Sequence, residues 1–254
     1  MPRFSANLGF LWSDLPIAPA IMKAKEAGFD AVECHWPYQQ DASQIRLALG
    51  KAGLPMLGIN TSKGNRPGDF GLAALIERAE EARAAIQQAF SYAKAIEARA
   101  VHVMAGCTEQ LPLAQSQYLE NLGYACDLAD REEMTVLIEP INGLDSEGYF
   151  LQRVAQAADI IDKLDHPRLK IMLDCYHAHR MQDDPVALMK AYLPFIGHVQ
   201  IASFPNRQEP DENEDFRDML MQMKALGYEG YFGAEYHPRS TEEAGLGWLK
   251  GCAE

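Results

Sequence analysis

Short β-rich runs recur eight times along this chain, at 4–10, 31–36, 56–60, 100–105, 135–141, 169–175, 196–203 and 231–236. Segments rich in Ala, Leu, Glu and Lys fill the intervals, with apolar positions at helical spacing. Strands that alternate with helices build a parallel sheet through right-handed crossovers. An open, doubly wound sheet competes with a closed barrel. Eight near-even units favour closure, and a (β/α)8 barrel takes roughly 250 residues as one unit. The chain has 254 residues, and no Pro-, Gly- or Ser-rich linker divides it. Residues 1–254 therefore read as a single TIM-barrel domain. No G-x-G-x-x-G follows the first run and there is no Walker A sequence, so nucleotide binding has no support.

Local signals mark the edges of these units. The clearest helix covers 72–96, where Leu72, Leu75, Ile76, Ala79, Ile86, Phe90, Ala93 and Ile96 follow i, i+3/i+4 spacing. Ser13 and Asp14 are cap candidates for a helix that ends at Gly28; Asp41 or Ser43 serves one that ends at Gly53. Thr241, with Glu242 and Glu243 behind it, opens the last helix. The loops 61–71 and 203–214 exceed the usual connection length. Both follow β runs, which puts them on the catalytic face of a barrel as lid or substrate-loop candidates.

Four residues then stand out: Glu139, Asp174, Gln200 and Glu235. Each sits at or near the C-terminal end of an apolar run, in T-V-L-I-E-P, L-K-I-M-L-D-C, G-H-V-Q-I-A and Y-F-G-A-E-Y-H-P. The intervals between them are 35, 26 and 35 residues, each about one βα unit. They belong to strands 5 to 8, whose ends face one funnel. An unpaired buried carboxylate is strongly penalised, and three crowded together stay partly protonated. A divalent cation removes that cost. Three carboxylates and a carboxamide are a hard-oxygen set that suits Mg2+ or Mn2+. Taken singly, each has a plainer reading as a surface, ion-pair or hydrogen-bonding residue; four matched positions on successive strands favour the metal set.

The formal net charge of −13 disfavours nucleic acid and anionic membrane as partners. It leaves room for a small anionic substrate met by a metal or by local Arg and Lys. The five cysteines include no C-x-x-C pair and read as reduced thiols. Cys175 lies beside Asp174 on a strand and so points the other way, into packing. The N-terminus lacks a signal peptide's apolar core and cleavage site, and no apolar run approaches a membrane span. A cytoplasmic location is the expectation. Barrel helices offer apolar faces for a homo-oligomer, none of them distinctive.

Several segments together resemble the hydroxypyruvate isomerase family. They are E-P-I-N (139–142), L-D-C-Y-H (173–177), H-V-Q-I-A (198–202), N-R-x-E-P-D (206–211) and the tail G-A-E-Y-H-P-R…E-E-A-G-L-G-W. Further matches are A-N-L-G-F (6–10), A-G-F-D-A-V-E (27–33), G-D-F-G-L-A-A-L (68–75) and V-H-V-M-A-G (101–106). That family includes the 2-oxo-tetronate isomerases and belongs to the xylose-isomerase-like TIM barrels. The resemblance implies proton-shuttling isomerisation with two glutamates as acid/base groups, here Glu139 and Glu235. It also implies that Gln200 replaces the metal-binding His of the related ketose 3-epimerases, that His177 touches substrate, and that Arg207 binds it; His177 reads equally as a structural hydrogen-bonding residue of strand 6. Two departures fall on loops that meet substrate: Glu235-Tyr236-His237-Pro238-Arg239 where E-Y-K-P-R is common, and E-N-E-D-F (212–216) where a G-E-I-N-Y-like stretch is usual.

The implied chemistry moves a proton between the carbons flanking an enediolate that a cation stabilises. Hydroxypyruvate would give tartronate semialdehyde, and a longer 2-oxo acid would react alike. Arg207 is the first choice for the substrate carboxylate, followed by Lys63, Arg66 and Arg239, each of which also reads as a solvated loop charge. His102 reads as a core histidine, with a place in the funnel lining as the alternative, Glu33 as an added polar contact, and the acidic run 209–215 as a solvated loop. The rivals are a ketose 3-epimerase, an endonuclease-IV-like phosphodiesterase and a catalytically dead scaffold. The phosphodiesterase needs more histidine ligands and a basic face, and the scaffold has no reason to keep both glutamates.

Overall fold

The computed structural model describes residues 1–109, 111–210 and 214–252. Among these residues, the elements run β1 Arg3–Asn7, α1 Ile17–Ala27, β2 Ala31–Cys34, α2 Ala42–Ala52, β3 Met56–Asn60 and α3 Ala79–Ile96. Next come β4 Ala100–His102, α4 Leu111–Glu132, β5 Thr135–Ile138, α5 Val154–Leu164, β6 Leu169–Asp174 and α6 Cys175–Arg180. The chain finishes with α7 Pro185–Tyr192, β7 Ile196–Ile201, α8 Glu214–Ala225, β8 Tyr231–Ala234 and α9 Gly247–Gly251. All strand pairs are parallel and in chain order. β8 returns to β1, with Arg3 opposite Tyr231 and Ala6 opposite Ala234, which closes the barrel.

The strands are buried on both faces, as a parallel sheet covered by helices requires. Along β1, apolar Phe4 and Ala6 alternate with polar Ser5 and Asn7, and all four are buried. The apolar set joins Val32, Val101, Ile138, Leu173, Val199 and Phe232 in the layer between barrel and helices. The polar set points inward, because period-two side chains leave no other side. Trp248 from α9 packs against Phe4, Phe29, Phe216 and Tyr236 and donates from Nε1 to Tyr236 Oη at 3.2 Å. The last helix thereby staples the β8–β1 seam.

Three local expectations change. The helix expected over 72–96 begins only at Ala79, after a short 3-10 turn at Ile76–Arg78. Residues 72–74 run beside the extension of β4 instead, with Ala74 N donating to Ala105 O at 2.8 Å. Leu72 and Leu75 still pack on Ala82 and Ala85, which is why their spacing imitated a helix. α1 has no cap from Ser13 or Asp14: its N-cap is Pro16, and Ile17 N donates to Gln40 Oε1 at 2.8 Å from a distant loop. Thr241 opens the 3-10 turn Glu243–Gly245 and precedes α9. Asp41 caps α2 through Ser43 N as expected, and Gly28 and Gly53 close α1 and α2 in the left-handed conformation.

The 61–71 loop is organised around Arg78. Its guanidinium is buried and meets Asp69 at 2.6 Å, Glu81 at 2.7 Å and Asn65 Oδ1 at 3.2 Å. Part of the 203–214 loop, at 211–213, lies outside the described residues, as do Asp211 of the 206–211 motif and Glu212 and Asn213 of the 212–216 stretch. The acidic run is not wholly solvated: Glu209 is buried and accepts from Arg239 N at 2.9 Å.

Candidate active site

Glu139, Asp174, Gln200 and Glu235 are all buried at the C-terminal ends of β5 to β8. Asp174 ends β6, Gln200 is the next-to-last residue of β7, and the two glutamates lie one residue beyond β5 and β8. Glu139, Gln200 and Glu235 line a cavity of about 240 Å³. Phe10, His35, Trp36, His177, Arg207 and His237 share its wall.

Arg207 is the strongest cation in this space. Its Nη2 contacts Asp174 Oδ2 at 2.8 Å and Glu235 Oε1 at 2.5 Å. The rings of Phe10 and Tyr176 hold its guanidinium at 4.9 and 5.0 Å, a stacked geometry that suits Arg better than Lys. Arg207 has a left-handed backbone, φ 52°. The other three proposed cations do not line the cavity. Lys63 lies over the Trp36 ring at 5.1 Å, so it stands at the rim. Arg66 reaches Glu81 at 3.5 Å, and Arg239 donates from Nε to Gln208 Oε1 at 3.1 Å.

The two glutamates have opposite surroundings. Burial raises the Glu139 pKa well above the usual carboxylate range, and the nearby charges of Glu235 and Asp174 add to the rise. Burial pushes Glu235 the same way, but Arg207 and His35 outweigh it and hold Glu235 down to about 2. Their surroundings therefore push the two carboxyl groups in opposite directions.

His177 has a fixed tautomer. Asn142 Oδ1 accepts from the backbone N–H groups of Leu144 and Asp145, so its Nδ2 must face the other way. That amide donates to Asp145 Oδ2 at 2.9 Å and to His177 Nδ1 at 2.6 Å. With Nδ1 accepting, the ring proton sits on Nε2. Nε2 lies 3.7 Å from both Glu139 Oε1 and Asp174 Oδ2. Burial lowers the His177 pKa, so the ring is a neutral donor aimed into the site. Glu139, Asp174 and His177 are close enough to share an ion, but a protonated Nε2 suits a hydrogen bond to a ligand oxygen and not a metal bond.

A second polar tier lies beneath. Glu33 meets Ser5 Oγ at 3.3 Å, Asn7 Nδ2 at 3.2 Å, Gln200 Nε2 at 3.0 Å and His198 Nε2 at 2.6 Å. Burial opposes a charged His198, but Glu33 outweighs it and raises the pKa. His102, the expected core histidine, lies 3.7 Å from Glu139, and burial pushes its pKa down to about 3. Asn7, His35, Asn142 and His198 join the site beyond the residues that the sequence marks for it. Their signal was available in part: Asn7 and Ser5 alternate with apolar residues, the pattern of a polar barrel interior.

The model of the family described as xylose isomerase-like TIM barrel matches residues 21–252. A 2-oxo-tetronate isomerase of Cupriavidus necator is 39% identical, with 98% of each chain covered. The hydroxypyruvate isomerase of Escherichia coli is 35% identical, again with 98% of each chain covered. A crystal structure from Brucella melitensis, described as an AP endonuclease of family 2, superposes with a TM-score of 0.94 at 35% identity over 98% of both chains.

Proposed function

This chain belongs to the xylose isomerase-like TIM-barrel family, in its hydroxypyruvate isomerase branch, and we propose that it isomerises a small hydroxy-2-oxo acid. The substrate pair is hydroxypyruvate and tartronate semialdehyde, or the corresponding 2-oxo-tetronate pair. One observation carries the reading: two buried carboxyl groups, pushed in opposite directions by their surroundings, face one small cavity beside a guanidinium. Pairs of titratable groups pushed apart in this way mark an acid and a base.

The donor set fits a divalent cation. Glu139 Oε1 and Gln200 Oε1 are buried and accept no hydrogen bond among the described residues. Such atoms are costly unless something outside the chain meets them. Glu139, Asp174, Gln200 and Glu235 would hold Mg2+ or Mn2+, which supplies Lewis-acid polarisation of neighbouring carbonyl and hydroxyl oxygens.

The side chains take the remaining roles. Arg207 pairs with the substrate carboxylate through its planar fork. His177 donates its Nε2 proton to a substrate oxygen. One glutamate removes the proton from the carbon beside the carbonyl, and the other returns a proton to the adjacent carbon of the enediolate. Phe10, Trp36 and Phe70 keep the cavity wall apolar, which limits water and strengthens each charge interaction.

Incubation with hydroxypyruvate and, separately, with ketohexoses tests the proposal. Conversion of hydroxypyruvate with ketohexoses left unchanged is the expected result, and epimerised ketohexose with hydroxypyruvate untouched reverses it. The name of the Brucella structure belongs to that protein. A net charge of −13 opposes a nuclease reading for this one.

A further inference from the structure

Two carboxamides and two carboxylates form a closed ring beneath the cavity. Asn7 Nδ2 donates to Glu33 Oε1 at 3.2 Å and to Glu235 Oε2 at 2.6 Å. Gln200 Nε2 donates to the same two oxygens, at 3.0 Å to Glu33 and at shorter range to Glu235. Each amide bridges the same pair of acids. Asn7 cannot turn around, because its Oδ1 accepts from Gly9 N at 2.9 Å. Gln200 has no such backbone partner among the described residues. Both hydrogens of its Nε2 go to Glu33 and Glu235, and its Oε1 is a buried atom with no hydrogen-bond partner among those residues.

Glu33 is itself held firmly. Its Oε2 meets Ser5 Oγ at 3.3 Å and His198 Nε2 at 2.6 Å. A Cβ on Gly233 would stand 2.6 Å from Glu33 Oε1 and 2.9 Å from His198 Nε2, so this strand position has room for the pair only as glycine. The chain thus commits residues of β1, β7 and β8 to fixing one carboxylate on β2 that does not line the upper cavity.

We infer that Glu33 is a positioning residue: it fixes the amide of Gln200 so that oxygen, not nitrogen, is offered to the cation. The inference rests on the metal set of the proposed function. Glu235 alone cannot set the orientation, because it is itself assigned to that set. A carboxamide turned by half a rotation presents an N–H group, which repels a cation. Partners that orient a metal ligand typically govern about 10–100-fold in affinity.

The test measures Mn2+ binding by electron paramagnetic resonance and by calorimetry on wild type, Glu33→Gln, Gln200→Glu and the combination of the two. Wild type should bind one equivalent, and Glu33→Gln should bind about 10–100-fold more weakly. In the Gln200→Glu background the same substitution should be neutral or strengthen binding. A carboxylate has no wrong end, and removing Glu33 also removes its repulsion. Equal weakening in both backgrounds overturns the inference and leaves the metal set standing. No Mn2+ binding by wild type overturns the metal set, and this inference with it. If Glu33→Gln fails to fold because His198 is stranded, Glu33→Gln with His198→Gln replaces both partners of that contact together and carries the same expectations.

Discussion

Asn142 Nδ2 lies 2.6 Å from His177 Nδ1 and settles which nitrogen of that ring carries the proton. The first prediction is that Asn142→Asp reverses this. An aspartate accepts where the amide donated, so the proton moves to Nδ1 and Nε2 becomes an acceptor. Turnover of the 2-oxo acid should fall at least tenfold, about 1.4 kcal/mol in the barrier. Full kcat in this variant removes His177 from the donor role.

Glu139→Gln and Glu235→Gln should each abolish isomerisation yet move the stability of the metal-free protein in opposite directions. The Glu139 pKa is raised by burial, so its ionisation opposes folding progressively above the ordinary carboxyl pKa. Replacing it with Gln removes that cost and should raise Tm at neutral pH, by about 2–4 °C for each 1 kcal/mol gained. Glu235 is depressed, so it stabilises the fold above the ordinary pKa and loses that effect as pH falls towards about 2. Glu235→Gln should therefore lower Tm. Differential scanning calorimetry in chelator reads both signs.

Exhaustive chelation should suppress turnover, and added Mg2+ or Mn2+ should restore it. Undiminished activity in the chelated protein rules out the metal role given to Glu139, Asp174, Gln200 and Glu235.

Arg207→Lys should raise KM for the 2-oxo acid and lower kcat/KM by about 100-fold, since one ammonium cannot reproduce a fork stacked between two rings. A KM within twofold of wild type would move carboxylate recognition to the rim, with Lys63 the next candidate.

The 61–71 loop should loosen in acid. Burial works against an ionised Asp69, but its hydrogen bonds from Arg78 and the Arg66 amide outweigh this and depress its pKa. The Asp69–Arg78 contribution is complete above about pH 4 and fades as pH falls through the depressed value. Hydrogen exchange across the loop should speed up at low pH in wild type, and already at neutral pH in Asp69→Asn.

The eight runs and the four strand-end residues were legible because both depend on local pattern and even spacing. Leu72 and Leu75 misled for an instructive reason: apolar residues beneath a turn and those on a helix can share one periodicity. Gln40 at the start of α1 and Asn142 behind His177 are contacts between distant segments, and no local pattern announces them. Glu33 looked like an accessory polar group until its four partners from other strands came together.

The β1–β8 seam has a consequence during synthesis. Arg3 and Tyr231 lie 228 residues apart, yet they pair across the closure. A ribosome must add the residues up to β8, at Tyr231–Ala234, before β1 meets its second neighbour. Until then β1 presents one unpaired backbone edge, the type of surface that invites association with other nascent chains. Closure of so long a loop is also intrinsically slow. Trp248, which follows β8 in the chain and covers the seam, acts as the latch that completes the assembly.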